Sequence, residues 1–236
     1  MRDRVSTALA LAGRWAYHLP APNTARLDHL TRTRIKICGL TRPEDVRAAV
    51  ASGTDAIGLV FYPPSPRAVS AEQARALCTI VPPFVTIVGL FVNPEPVWVR
   101  EVMRTVPLQL LQFHGDECEE DCLRYGLPYI KAARMRQDLD LINYAACFPS
   151  ARGFLLDAFV EGYGGGGKVF DWGLIPRGFA RPLILSGGLD AENVGDAIRR
   201  VAPVAVDVSS GVECAKGIKD AGKIARFVAG VRDADG

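Results

Sequence analysis

Leu183-Ile184-Leu185-Ser186-Gly187-Gly188-Leu189 and Val204-Ala205-Val206-Asp207-Val208-Ser209-Ser210-Gly211-Val212-Glu213 follow one another near the end of the chain and share one pattern. Each is a short apolar run, the mark of a strand covered on both faces, which breaks into small residues with backbone N–H groups to offer. After the first, Asp190 is placed to cap a new helix. After the second, Gly211 lets the backbone turn and come close to an anion. The interval between the two suits strand, loop, helix, loop, strand. In a closed barrel of eight β/α units, a substrate phosphate commonly sits in the loops after strands seven and eight. The pair therefore predicts an architecture and a ligand class together: an α/β chain forming one (β/α)8 barrel, with a phosphate held by two small-residue loops.

Upstream, the chain repeats the same unit. Ile35-Lys36-Ile37-Cys38 predicts a first strand ending at Gly39-Leu40-Thr41. Thr41 and Glu44 form a capping-box pattern, with Pro43 in the first turn of a helix that runs to Gly53. Residues 56–61 predict the second strand, and Ser70 with Gln73 the cap of the second helix. Residues 84–92 read as the third strand, followed by Asn93-Pro94 as cap and first helical residue. Residues 108–113 are the fourth, with Asp116 opening a helix, and residues 128–132 and 153–156 the fifth and sixth. A last helix covers residues 220–231. These runs are nearly unbroken Val, Ile, Leu and Phe, so the sheet should be parallel. One architecture repeated over residues 34–236 favours a closed barrel. An open doubly wound sheet is the alternative, but the turn after Cys38 lacks the G-x-G-x-x-G of a dinucleotide fold.

Residues 1–33 stand outside the repeat. Arg2, Arg4, Arg14, Arg26 and Arg32 face only Asp3 and Asp28, and Arg14 with Trp15 interrupts what would be the apolar core of a secretory signal. The segment reads as a poorly ordered N-terminal extension without a part in the chemistry, with a transit peptide as the alternative.

The 236 residues, 49% of them hydrophobic, are enough for one full core and close to the roughly 250 of a single α/β barrel. A net charge of +2 and the lack of a basic, aromatic-interleaved stripe argue against nucleic acid, and no apolar run reaches the ~18 residues of a membrane span. Six cysteines without metal-type spacing suit free thiols in a reducing, cytoplasmic setting and predict no metal site. Cys118 and Cys122 are four apart on an expected helix.

In such a barrel, catalytic groups stand at the C-terminal ends of the strands. Those positions are Cys38, Arg67 on the loop after strand two, Asn93, His114, Lys131, Asp157 and Asp207. A thiol drawn toward neutrality by a cation or helix terminus can serve as a base, although a free Cys is also a common packing residue. Asp157, directly after Phe154-Leu155-Leu156, is costly to desolvate without a purpose or a partner. Beyond it, Tyr163-Gly164-Gly165-Gly166-Gly167-Lys168 suits a mobile lid whose N–H groups, aided by Lys168, could wrap an anion. His114 can titrate near neutrality or serve as a hydrogen-bonded structural residue. Arg67, stiffened by Tyr62-Pro63-Pro64-Ser65-Pro66, carries a fork that fits a carboxylate, or is simply solvated.

Taken together, these segments resemble the phosphoribosylanthranilate isomerase family of tryptophan biosynthesis. Lys36-Ile37-Cys38-Gly39-Leu40-Thr41, Gly58-Leu59-Val60-Phe61-Tyr62-Pro63-Pro64-Ser65-Pro66-Arg67, Gly89-Leu90-Phe91-Val92-Asn93 and Gln112-Phe113-His114-Gly115 are similar to its first four strand-and-turn motifs. Leu155-Leu156-Asp157, Gly166-Gly167-Lys168-Val169-Phe170-Asp171-Trp172 and the two loops quoted first continue the match in order, from about Arg34 to Val231. Phe113 stands where an aliphatic residue is usual, and Ala215-Lys216 where a proline-containing turn is expected. The resemblance implies an Amadori rearrangement of N-(5-phosphoribosyl)anthranilate with Asp157 as acid and Cys38 as base. Gly187, Gly188, Ser209 and Ser210 would hold the phosphate, with His114 and Asp207 also in the substrate site, and Arg67 would hold the anthranilate carboxylate. No cofactor is implied. The chain would act as a monomer or homodimer on a phosphosugar–anthranilate substrate. The related isomerase of histidine biosynthesis, which has an aspartate in place of Cys38, and a non-catalytic phosphosugar-binding barrel are the alternatives.

Overall fold

The computed structural model describes residues 32–159 and 169–236. Eight parallel strands, β1 (Arg34–Cys38), β2 (Ala56–Val60), β3 (Thr86–Phe91), β4 (Leu110–Phe113), β5 (Tyr129–Met135), β6 (Phe154–Ala158), β7 (Leu183–Leu185) and β8 (Ala205–Val208), close on themselves in chain order. The seam pairs Ile35 with Val206 and Ile37 with Val208, which excludes the open sheet. Helices α1 (Pro43–Ser52), α2 (Ala71–Cys78), α3 (Pro96–Thr105), α4 (Glu119–Leu123), α5 (Leu141–Ala146), α6 (Val194–Val201) and α7 (Ala221–Asp235) lie between and after the strands. A hairpin, β9 (Glu213–Ala215) with β10 (Ile218–Lys219), separates β8 from α7. No described helix is long and apolar enough to cross a membrane.

Strand side chains alternate between two surroundings, as the pleat requires. Ile35 and Ile37, Ile57 and Leu59, Leu111 and Phe113, Phe154 and Leu156, and Val206 and Val208 belong to the large core between sheet and helices. Their neighbours in sequence turn into the barrel. Ile130, Ala132, Leu155 and Ile184 fill its interior, and Cys38, Val60, Leu90 and Val92 form a separate apolar wall.

Two helix boundaries follow local chemistry as expected. Ser70 accepts from Gln73 N while the Gln73 side chain accepts from Ser70 N, and Gly53 ends α1 in the left-handed region (φ 86°). Elsewhere a distant partner takes the expected cap. Thr41 Oγ1 donates to Gly217 O, so α1 starts after Arg42 with Pro43 at its first turn and no side-chain cap. Asn93 has φ 44° and accepts from Asp116 N, which removes both as helix starts; α3 begins at Pro96 after Glu95, and α4 at Glu119 after Cys118. Cys118 thus precedes α4 while Cys122 is buried within it, and all six cysteines are free thiols. Phe84 lies outside β3, fully exposed with φ 71°. Asp190 Oδ1 accepts from Glu192 N and Asn193 N, capping a turn that precedes α6 rather than α6 itself.

The last two residues of the expected extension contact the barrel. Arg32 forms an ion pair with Asp55, and Thr33 donates through its N–H and hydroxyl to Asp235. Residues 1–31, the rest of that extension, lie outside the described residues.

Candidate active site

The C-terminal mouth of the barrel holds an open cavity, about 710 Å³ with the solvent space at its entrance included, lined by Cys38, Arg67, His114, Asp157, Asp207 and both phosphate-type loops. Pleat parity decides which polar residues reach it. Lys36 and Cys38 are two apart on β1, Gln112 and His114 are two apart at the end of β4, and all four turn inward. Lys131 has the opposite parity. It lies on the outer face of β5, where its ammonium group donates to Gly115 O at 2.6 Å and pairs with Glu117 at 3.0 Å. Lys131 is therefore not a site residue, and Asn93 is absent from the cavity wall.

Asp157 is a residue of β6 rather than of the loop after it. Its Oδ1 accepts from Ala158 N at 2.8 Å, and its Oδ2 lies 3.2 Å from His114 Nε2. Gln112 Nε2 is 3.0 Å from His114 Nδ1, so a line of contacts runs from Gln112 through His114 to Asp157. Gln112 Oε1 is buried without a partner among the described residues. Gly187 (φ 83°) allows the loop after β7 to sit against this carboxylate, since a Cβ there would lie 2.9 Å from Asp157 Oδ1 and 2.6 Å from Ala158 N.

Cys38 is buried beside Lys36, whose ammonium group pairs with Asp207 at 2.8 Å. Burial pushes the thiol above its ordinary pKa; Lys36 pulls it down and Asp207 pushes it up again. The expectation of a thiol drawn toward neutrality is thus reversed, because desolvation outweighs the pull of the Lys36 and Lys219 cations. Burial also opposes the Lys36 charge, but Asp207 and Cys38 hold its pKa above the usual value. Gly58 on β2 makes room for the cluster, since a Cβ there would lie 2.7 Å from the sulfur and 3.1 Å from Lys36 Nζ.

The two small-residue loops touch. A Cβ on Gly211 would collide with the Leu189 carbonyl oxygen, so the close approach that this glycine permits is to the neighbouring loop rather than to an anion. Asn193 Nδ2 donates to Gly188 O at 2.8 Å and fixes the first loop from the start of α6. Arg67 is buried, and its Nε and Nη2 both donate to Glu213 at 2.8 Å. Gly164, Gly165, Gly166, Gly167 and Lys168 lie outside the described residues. Among the described residues, no group of three or more His, Cys, Asp or Glu is arranged to hold a metal ion.

Residues 35–230 match the family model described as N-(5'phosphoribosyl)anthranilate (PRA) isomerase. The chain belongs to the N-(5'-phosphoribosyl)anthranilate isomerase family. The protein of that name from Dechloromonas aromatica (strain RCB) is 64% identical over 204 residues, 86% of this chain and 98% of that protein. The crystal structure of phosphoribosyl anthranilate isomerase from Thermotoga maritima matches with a TM-score of 0.78 at 44% identity, covering 85% of this chain and 99% of that one. A second phosphoribosyl anthranilate isomerase structure, in complex with reduced 1-(o-carboxyphenylamino)-1-deoxyribulose 5-phosphate, matches at 0.75 and 42% identity, covering 85% and 99%. In this isomerase barrel, sequence reasoning found the residues that end strands and missed those that support them: Lys36, Gln112, Glu213 and Lys219. The first two carried a signal, each being a polar residue two positions before a candidate on the same strand face.

Proposed function

We propose that the chain converts N-(5-phosphoribosyl)anthranilate to 1-(2-carboxyphenylamino)-1-deoxyribulose 5-phosphate in tryptophan biosynthesis, as a cytoplasmic monomer or homodimer needing no cofactor. The observation that carries this reading is one cavity with Asp157 on β6, Cys38 on β1, and the phosphate-type loops of the two intervening strands between them. Asp157 donates a proton to the furanose oxygen as its bond to C1 breaks, and the anthranilate nitrogen lone pair forms the C1=N bond. Cys38, as thiolate, then removes the C2 proton, and the electron pair moves to give the enolamine, which tautomerises to the ketone. Lys36 supplies the cation beside that thiolate. His114 Nε2 steadies the Asp157 carboxyl group.

The phosphate lies over Gly187, Gly188, Ser209 and Ser210, and the anthranilate ring against Val60, Leu90 and Val92. Arg67 presents its Nη1/Nη2 edge to the ring carboxylate, because the Nε/Nη2 edge is held by Glu213. Complementation tests the function: the gene should restore growth to a tryptophan auxotroph lacking this isomerase but not to a histidine auxotroph lacking the related one. The reverse pattern, or neither, would remove the reading. Arg67→Lys tests the division of the substrate. It keeps the charge and loses the fork, so anthranilate-bearing inhibitors should weaken by about tenfold while inorganic phosphate inhibits as before. Equal loss for both would place Arg67 with the phosphate or the fold.

Residues 1–31 have no part in this scheme. A chain beginning at Thr31 keeps the Arg32–Asp55 and Thr33–Asp235 contacts and should fold with kcat/KM unchanged. Loss of activity in a folded truncated chain would bring the extension into the working enzyme.

A further inference from the structure

Arg67 and Ser209, assigned above to opposite ends of the substrate, meet a common support that the reaction scheme does not use. Antiparallel pairing in the β9–β10 hairpin sets Lys219 opposite Glu213. Lys219 Nζ donates to Glu213 Oε1 at 2.8 Å, to Ser209 O at 3.1 Å and to Ser209 Oγ at 3.2 Å, which uses all three of its protons. The same carboxylate takes the Nε proton of Arg67 on Oε1 and its Nη2 proton on Oε2. Arg67 and Ser209 come together over Gly39 (φ 75°), where a Cβ would lie 2.5 Å from Arg67 Cδ and 3.1 Å from Ser209 Oγ. The hairpin itself is pinned to α1, with Lys219 N donating to Asp45 at 3.1 Å and Arg42 donating to Lys219 O at 3.3 Å.

We propose that Glu213 is a positioning residue for both ends of the substrate, holding the Arg67 fork directly and the Ser209 hydroxyl through Lys219. The inference rests on the substrate reading given above. Its chemistry follows from counting donors. By occupying one edge of the guanidinium, Glu213 leaves only the end-on pair of N–H groups for a second carboxylate, which fixes the angle at which that carboxylate can dock. Because Ser209 Oγ already accepts from Lys219, its own proton is free to point to an anion above the loop. Lys219 never reaches that anion, yet its charge lies directly beneath it. A single buried carboxylate thus stands between two cations and sets where each one acts. Each partner alone would be a buried charge without compensation.

The experiment measures competitive inhibition by two small probes, inorganic phosphate and anthranilate, in the full-length parent and three variants. Arg67→Lys should weaken anthranilate alone. Lys219→Gln should weaken phosphate alone, by about tenfold, since a charged donor is lost below the loop. Glu213→Gln, which keeps the shape and removes the charge, should weaken both by about tenfold. If Glu213→Gln leaves either probe unchanged, the shared-support role is overturned. If the probes do not compete with substrate in the parent, the substrate reading fails, and the inference with it. If Glu213→Gln does not fold, Lys219→Gln decides: unchanged phosphate inhibition overturns the proposal, and loss confined to phosphate supports it.

Discussion

Asp157→Asn should lower kcat by ~10²–10⁴ with little change in KM, and Cys38→Ala should do the same. Asparagine keeps the contact with Ala158 N but has no acidic proton to give, and alanine removes the base while leaving the apolar wall of Val60, Leu90 and Val92. The pH profile separates the two roles. Because the thiol acts as thiolate and burial holds its pKa above the ordinary value, kcat should rise with pH into the alkaline range. Lys36→Met removes the cation that pulls this pKa down, so the rising limb should move to higher pH as kcat falls. Near-parent kcat in both Cys38→Ala and Asp157→Asn, or a limb that ignores Lys36→Met, would dissolve the assignment.

Glu117→Leu should cost about 3–5 kcal/mol of folding stability, read by urea denaturation. Glu117 is the counter-ion of Lys131, whose side chain is 1% exposed on the outer face of β5. It also accepts from Asn93 N at 2.7 Å and from Gly115 N at 3.0 Å, joining the ends of β3 and β4. Its loss leaves a buried ammonium group with no counter-ion among the described residues, held by the Gly115 carbonyl and the face of the Phe148 ring. Glu117→Leu combined with Lys131→Met should recover most of the loss, since a matched apolar pair is cheaper to bury than one charge. A loss below about 1 kcal/mol in the single variant would show that water or a shifted partner reaches Lys131.

The barrel was legible because its strands are buried on both faces and so appear as apolar runs that tertiary context cannot relocate. The same context defeated several helix starts. Thr41, Asn93 and Asp116 all have capping chemistry, but their groups are committed to Gly217 and to each other across loops, which a local window cannot see. Lys131 was misplaced for a different reason. Proximity to a strand end was weighed without parity, and the residue two after it, Ala133, belongs to the outer core. Parity applied to Cys38 and His114 would have exposed Lys36 and Gln112. The Glu213–Lys219 pair had no comparable signal, because it depends on a hairpin turned by Gly217 (φ 77°), for which the proline-containing turn expected there is absent.

The seam where Arg34 pairs with Ala205 joins segments that leave the ribosome far apart in time. Until Ala205–Val208 has been made, β1 and the newest strand are both open rims, rows of unanswered amide and carbonyl groups able to recruit any passing chain. Joining such distant segments is not forbidding at equilibrium, because loop closure costs only about 0.6 kcal/mol for each doubling of length. The burden falls on the interval instead. During synthesis the molecule is a curved sheet with two adhesive borders, and its most vulnerable period ends when the eighth strand abolishes both borders at once.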